Sequence, residues 1–285
     1  MNGKVGILTL ATPKDYRKAI GLAHSLRNSG NLYPVSVVCS ESLGEKLTPY
    51  FDDIIPERQD IKGFAHKLYL DEYSPYDKTL FLDADMLVFG DLRKIFQRLA
   101  GSHYTARGWY VDSGKSSFGL DRKYVLDKLH KENLVCIDGA GHAYFEKPKC
   151  NEVFGVARDV VSHYDEYFSG NILADEDVMG IAMTICETAP FVNEGFLGSP
   201  WHAVKGTFFI DSISSQCRYV DKKFGNVSPV VVHFMRRVFP FVYANELNKL
   251  NRVYGEFDLS LYFEALRDWF IVQVVWRLKK FLVGR

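Results

Sequence analysis

The 285-residue sequence has no C-x-x-C pair, and its five cysteines, Cys39, Cys136, Cys150, Cys186 and Cys217, are odd in number and widely scattered. That pattern excludes a disulfide framework and a zinc knuckle, and the thiols read as reduced core residues. Net charge is also missing, because 35 lysines and arginines balance 35 aspartates and glutamates. No overall field therefore draws the chain to nucleic acid, and any basic function must be local. No apolar run reaches the roughly 20 residues that span a bilayer. Internal repeats and low-complexity linkers are absent as well. Met1-Asn2-Gly3-Lys4 leads straight into an apolar stretch without a small-residue cleavage site, so it reads as the approach to a first strand rather than a signal peptide. A cytoplasmic protein is the expectation.

What is present is a chain long enough for one large α/β domain with a small appendage. Val5 to Leu10 is a short apolar run suited to a buried parallel strand. Thr12-Pro13-Lys14-Asp15 then offers an N-cap, an N1 proline and an N3 acid, and Tyr16, Ala19, Ile20, Ala23 and Leu26 follow at helical spacing up to Ser29-Gly30-Asn31. Val35 to Cys39 is the next strand, which completes a βαβ unit. A second round follows: helix 41–50, strand 51–55, helix 64–70 and strand 79–82. Beyond it the pattern predicts a helix near 122–131, sheet over His142-Ala-Tyr-Phe-Glu, and an apolar run Val230-Val231-Val232 ending in His233. From Tyr243 the chain reads as helical to Arg285. A soft boundary near Phe241 divides a main domain, 1–241, from a helical segment, 242–285.

The chemistry centres on Leu80-Phe-Leu-Asp83-Ala84-Asp85-Met86, which sets two carboxylates at the carboxyl end of an apolar strand with one small residue between them. Open α/β sheets bind ligands at such strand ends. Two acids this close at a turn can share a hard cation, and a divalent ion there would neutralise a diphosphate and make it a leaving group. An Asp-rich surface turn is the plain alternative, and for a bare D-x-D it is the commoner one.

The longer segment Lys67-Leu-Tyr-Leu, then Tyr76-Asp-Lys-Thr-Leu-Phe-Leu-Asp-Ala-Asp-Met-Leu-Val-Phe-Gly-Asp-Leu, resembles the signature of glycosyltransferase family eight. The resemblance spreads over roughly the first 240 residues. It implies a GT-A fold with a mixed, largely parallel central sheet and a C-terminal helical appendage. It further implies a metal-dependent enzyme that retains anomeric configuration while moving a hexose from a UDP-sugar to a glycan or lipid-linked glycan. In that picture Leu10, Thr12 and Tyr16 form the uridine-binding turn, with the tyrosine ring stacked on the base. Lys67 faces the donor. Asp83, Ala84 and Asp85 contact it, and Asp83, Asp85 and His233 hold Mn²⁺ or Mg²⁺. Asp175-Glu176-Asp177-Val-Met is similar to the family's D-Q-D-x-L-N, so Asp175 and Glu176 fall closest to the reacting sugar.

Two stretches depart from the family pattern. Ile137-Asp138-Gly139-Ala140-Gly141 matches F-N-[SA]-G only loosely, leaving open whether Asp138 or Gly139 takes the Asn position; Asp138 can accept hydrogen bonds from sugar hydroxyls. After His233-Phe234, Arg236 replaces a Gly, Phe239 a phosphate-binding Lys and Phe241 a Trp, while Pro240 is kept. Arg236 or its neighbour Arg237 is the candidate to restore the missing cation, since guanidinium grips phosphate oxygens in a fork. Other readings of the chain are a non-catalytic nucleotide-sugar or glycan-binding protein and a haloacid-dehalogenase-type phosphatase. The phosphatase motif also runs apolar strand then D-x-D, but it usually opens a chain and continues with Thr or Val, not Met86. A nucleotidyltransferase fits less well, because it wants a Gly-rich N-terminal loop with Arg and Lys.

From Tyr262 onward Arg267, Arg277, Lys279, Lys280 and Arg285 face two acids, and Trp269 to Trp276 is apolar apart from Gln273. Tryptophans beside lysines suit an interfacial helix on anionic lipid, which predicts a peripheral place on the inner face of the membrane. A helix packed on the core or on a second copy is the alternative.

Overall fold

The computed structural model describes residues 3–139, 141–168, 174–235 and 239–275, and the chain forms two compact units that interleave in sequence. Arg236, Arg237 and the basic residues from 277 onward lie outside the described residues.

The first unit comprises Met1–Thr12, Tyr33–Leu82 and Arg93–Asn193. Its six-stranded sheet has the order β3-β2-β1-β4-β9-β6, with β1 Val5–Ala11, β2 Val35–Cys39, β3 Asp53–Pro56, β4 Lys78–Leu82, β6 Tyr104–Ala106 and β9 His142–Glu146. The first four run parallel, whereas β9 is antiparallel to β4 and β6 to β9. Every residue of β2 is buried, the mark of a strand covered on both faces. The strand order reverses between β1 and β4, so the carboxyl ends of these two strands form the switch point at which such sheets take ligands. Leu10 is the last residue but one of β1, and β4 runs on directly into Asp83.

Helices α2 Glu41–Leu47, α3 Leu70–Tyr73, α4 Arg93–Leu99, α5 Arg122–Leu129, α6 Cys150–Ser162 and α7 Asp175–Ile185 complete the unit, with a two-stranded ribbon of β7 Gly108–Val111 and β8 Leu134–Ile137. Phe81, Phe145, Phe154, Val178 and Ile181 belong to one core cluster, in which the Phe145 and Phe154 rings meet edge to face at 5.2 Å. Gly180 lets α7 lie against β8: a Cβ there would stand 2.4 Å from the Val135 carbonyl oxygen. The Val135 N–H donates to Thr184 Oγ1 across the same contact (2.9 Å).

The second unit comprises Pro13–Leu32, Asp83–Leu92 and Glu194–Arg285. It holds α1 Tyr16–Asn28, a three-stranded sheet ordered β10-β14-β5 (Leu197–Gly198, Val231–His233, Met86–Val88), and an antiparallel sheet β11-β12-β13 (Phe209–Asp211, Gln216–Asp221, Gly225–Val227). Helices α8 Pro240–Val253 and α9 Ser260–Phe270 follow. Gly21 admits Leu247 of α8, whose Cδ2 would stand 2.0 Å from an added Cβ. The buried residues Leu87, Val232, Phe234, Tyr243, Leu250 and Leu261 form this unit's core.

Three local expectations are corrected. Thr12 does not cap α1: Pro13 to Asp15 form a turn, and Lys18 and Ala19 donate their N–H groups to the Asp15 carbonyl (2.8 and 3.2 Å), so the helix begins at Tyr16. Around Lys67 the chain is a 3₁₀ helix, Gly63–Tyr69, before the short α3. The Arg158 guanidinium donates to the Leu68 carbonyl (2.9 Å) and grips Asp71 (2.9 Å), so a side chain serves a backbone acceptor where the tight winding passes into α3. Helix α8 starts at Pro240 rather than Tyr243, because proline suits a first helical position.

Candidate functional site

In the second unit, Asp83, Asp85 and His233 offer one ligand atom each, all within 4.8 Å of one another and all partly buried. The pairing of β14 with β5 builds this arrangement. His233 registers with Met86, the residue after Asp85, and the Phe234 N–H donates to the Asp85 carbonyl (3.1 Å). His233 Nε2 then lies 3.1 Å from Asp85 Oδ1. Two carboxylates and an imidazole at partial exposure are a donor set that suits a small divalent ion, and they join two apolar runs 150 residues apart in sequence. Ala84 between the acids is buried.

Other positions of this unit divide the expected roles. Tyr16 opens α1 half-buried, with the Arg17 guanidinium over its ring (4.8 Å). Phe239, where the family carries a phosphate-binding lysine, stacks on Phe208 (5.8 Å) and supplies no charge.

In the first unit, Leu10 is partly buried at the end of β1 and Thr12 is exposed. Lys67 is not a solvated surface lysine. Its Nζ lies 3.1 Å from Asp175 Oδ2, both side chains are nearly buried, and the Phe64 and Phe81 rings flank the ammonium group at 5.8 and 5.7 Å. Asp175, Glu176 and Asp177 occupy the first turn of α7, where the helix dipole favours negative charge. Burial pushes the Asp177 carboxyl above its usual range, and the Ser116 hydroxyl, donating to it at 2.6 Å, pulls the other way. Asp138 follows β8 after Ile137 and forms an ion pair with Arg107.

Arg107, Tyr104, Ser116 and Arg122 had no motif to announce them. Tyr104 is buried, and its hydroxyl pKa is raised by burial and by the Asp175 carboxylate. Arg122 donates to Cys136 Sγ (3.3 Å). The one signal available in the sequence is indirect: Arg107 and Arg122 flank the glycine- and aromatic-rich stretch 108–119, which lacks the periodicity of a core element.

No family model matches the chain. In sequence it is similar to glycogenin-1 of Caenorhabditis elegans, 30% identical over 219 residues, which is 68% of this chain and 50% of that protein. The chain thus spans about half the length of this curated relative. In structure it is similar to the galactosyltransferase LgtC, solved in complex with donor and acceptor sugar analogues, with a TM-score of 0.58 at 15% identity over 91% of this chain and 99% of LgtC. The bifunctional glycosyltransferase WbbM gives a TM-score of 0.58 at 14% identity, covering 93% of this chain and 52% of that one. At such identities the structural likeness speaks for the fold, and the fold is GT-A.

Proposed function

We propose that this chain, a GT-A protein of the glycogenin and LgtC type, is a metal-dependent, retaining glycosyltransferase that moves a hexose from a UDP-sugar to a glycan or lipid-linked glycan. The observation that carries the reading is the convergence of Asp83, Asp85 and His233. These three would hold Mn²⁺ or Mg²⁺, which when bound supplies positive charge against the diphosphate of the donor.

The chain's own residues then divide the work. Tyr16 stacks on uracil, and Leu10 and Thr12 contact the nucleotide. Lys67 supplies a fixed cation toward the donor, and its ion pair with Asp175 limits its movement. Ala84 is small and buried, so the loop between the two acids can pass close to the donor. Asp175 and Glu176 line the sugar, Asp138 accepts from its hydroxyls, and Arg236 gives the charge that Phe239 does not. In the reaction the bond from the anomeric carbon to the phosphate oxygen breaks, with the electron pair leaving on UDP. The acceptor oxygen bonds to that carbon from the same face, and its proton passes to the departing diphosphate. Stabilising the departing diphosphate is the dominant contribution.

A peripheral place on the inner face of the membrane belongs to the same reading. No helix among the described residues is long and apolar enough to cross a membrane. Leu259, Phe263, Leu266 and Phe270 are all exposed, and their spacing lays them along one stripe of α9 and its approach. The basic residues Arg277, Lys279 and Lys280 come shortly after.

The test is a UDP-release screen over nucleotide sugars with Mn²⁺ or EDTA, with and without candidate glycans. Release from one UDP-hexose, lost in EDTA and increased by an acceptor, supports the proposal. UDP binding without turnover of any donor would favour a non-catalytic binding protein, and phosphate released from a sugar phosphate without nucleotide would favour a phosphatase.

A further inference from the structure

In the second unit, β12 turns Cys217 and Tyr219 into the core and leaves Gln216 and Arg218 exposed on the opposite face. Phe209 of β11 registers with Arg218, and the pairing of Tyr219 with Val227 brings Ser228, the next residue of the chain, to the other side of Arg218. The Arg218 guanidinium lies over the exposed Phe209 ring at 4.3 Å. Stacking of this kind fixes the plane of a guanidinium and leaves its N–H edge open. Among the described residues no carboxylate pairs with Arg218, and the Gln216 and Ser228 side chains have no hydrogen-bond partner. Asp211, which opposes Gln216 on this face, is engaged elsewhere: it accepts from the Ser214 hydroxyl (2.6 Å) and the Ile213 N–H (3.3 Å), and Lys249 Nζ lies 3.7 Å from it.

Gln216, Arg218 and Ser228 line a cleft of about 250 Å³, to which the buried Phe89 and Pro229 and the partly buried Val230 give an apolar wall. Its surroundings are fixed. Asn28 Nδ2 donates to the Ser212 and Ile213 carbonyls (2.8 and 3.0 Å) and to Ser215 Oγ (3.0 Å), which holds the turn leading into Gln216. The Phe89 N–H donates to the Val230 carbonyl (2.7 Å). These two residues stand at the end of the β5–β14 pair opposite Asp85 and His233, roughly 10–13 Å away along strands that rise about 3.3 Å per residue. The cleft is therefore separate from the metal-type site of the same unit. Burial, with the Glu246 carboxylate adding to it, pushes the Cys217 thiol at the cleft up to about 12, so no thiolate forms there. Such a cleft suits binding rather than covalent chemistry.

We propose that this cleft is a carbohydrate-binding site of its own, taking one sugar unit that carries an acidic group. The apolar wall meets a face of the sugar ring, the Arg218 fork takes the carboxylate or phosphate, and Gln216 and Ser228 exchange hydrogen bonds with the hydroxyls. A guanidinium with no counter-ion in the cleft favours an anion. The amide and hydroxyl beside it, each both donor and acceptor, match a sugar better than a bare ion. On a transferase, the site holds an acidic glycan by a unit other than the one being extended, which raises the local concentration of acceptor. That use rests on the proposed transferase reading, whereas the binding itself does not.

The experiment uses the full chain without UDP or metal and follows methyl glucuronoside and glucose 6-phosphate by saturation-transfer NMR, with methyl glucoside and inorganic phosphate as competitors. At least one acidic sugar should bind, and both competitors should be weaker by about tenfold or more, the scale of a hydrogen bond to a charged group. Arg218→Gln, at an exposed position, should weaken that binding by about tenfold or more, and Ser228→Ala by a smaller factor. Arg252→Gln, which removes another exposed guanidinium over a phenylalanine ring but outside this cleft, should leave it unchanged. UDP with Mn²⁺ should not displace the sugar. Methyl glucoside binding as tightly as the acidic sugars, inorganic phosphate competing as well as they do, displacement by UDP, or unchanged binding in a folded Arg218→Gln protein each overturns the inference. A chain that binds UDP with Mn²⁺ but no acidic sugar overturns it and leaves the transferase reading intact. A chain that binds the acidic sugar but not UDP overturns the transferase reading alone.

Discussion

Tyr16 and Lys67 show how differently single residues can be read from sequence. Tyr16 heads α1 half-buried, and its proposed stacking on uracil predicts that Tyr16→Ala weakens UDP binding by about 1–3 kcal/mol, the range for base–aromatic stacking. Calorimetry checks this, and an unchanged affinity would remove the residue from the nucleotide site. Lys67 was legible only as a cation in a motif. Its ion pair with Asp175 joins positions 108 residues apart, a contact with no local periodicity to reveal it. Arg107 was invisible for the same reason, since no short pattern surrounds it and its partner Asp138 is 31 residues away. The grouping of Asp83, Asp85 and His233 was expected from the resemblance to glycosyltransferase family eight, while the apolar runs beside them were legible as strands.

Strands and helices of strong periodicity were foreseen, among them β1, β2, β4, α5 and the antiparallel β9. The sheet β11-β12-β13 was not, because strands of three to six residues with mixed exposure carry little alternation. The 3₁₀ turn around Lys67 escaped as well, since a long-range bond from Arg158 shapes it. The close seating of α7 on β8 allows a direct check on an element. Gly180→Ala would bring a methyl group to 2.4 Å from the Val135 carbonyl and force the helix outward, costing about 1–3 kcal/mol. Because α7 begins with Asp175, a urea titration should show lower stability, and turnover should fall more than that loss explains. Unaltered stability and turnover would show that α7 adjusts freely. For α9, removal of residues from 259 onward should leave a protein that turns over donor but no longer sediments with anionic liposomes at low salt. A full-length protein that fails to sediment would make the apolar stripe a protein contact instead.

At the scale of the whole molecule, each compact unit is assembled from three separate stretches of chain, which a reading along the sequence does not reveal: α1 and β5 belong with α8 and β14, although first-unit segments flank both. Buried histidine makes the stability of the second unit sensitive to acid. Burial lowers the His24 pKa to about 4, with Glu256 opposing and Arg27 adding to the shift, while its ring stacks on Tyr254 at 4.0 Å. The unfolded chain, with an ordinary pKa of about 6.5, binds more protons between those values. His24 therefore favours folding fully above about pH 6.5 and loses that contribution, at most about 3 kcal/mol, as the pH falls to about 4. Urea unfolding at pH 7.5 and 4.5 should show the loss in the parent and a smaller one in His24→Gln; equal losses would assign the acid sensitivity to other groups. The central claim is the metal site, and calorimetry of UDP binding with Mn²⁺ to the parent and to Asp85→Ala tests it most directly. Mn²⁺-dependent binding in the parent, lost in a variant that still melts as a folded protein, is the predicted result. Equal UDP affinity in the two proteins would contradict it.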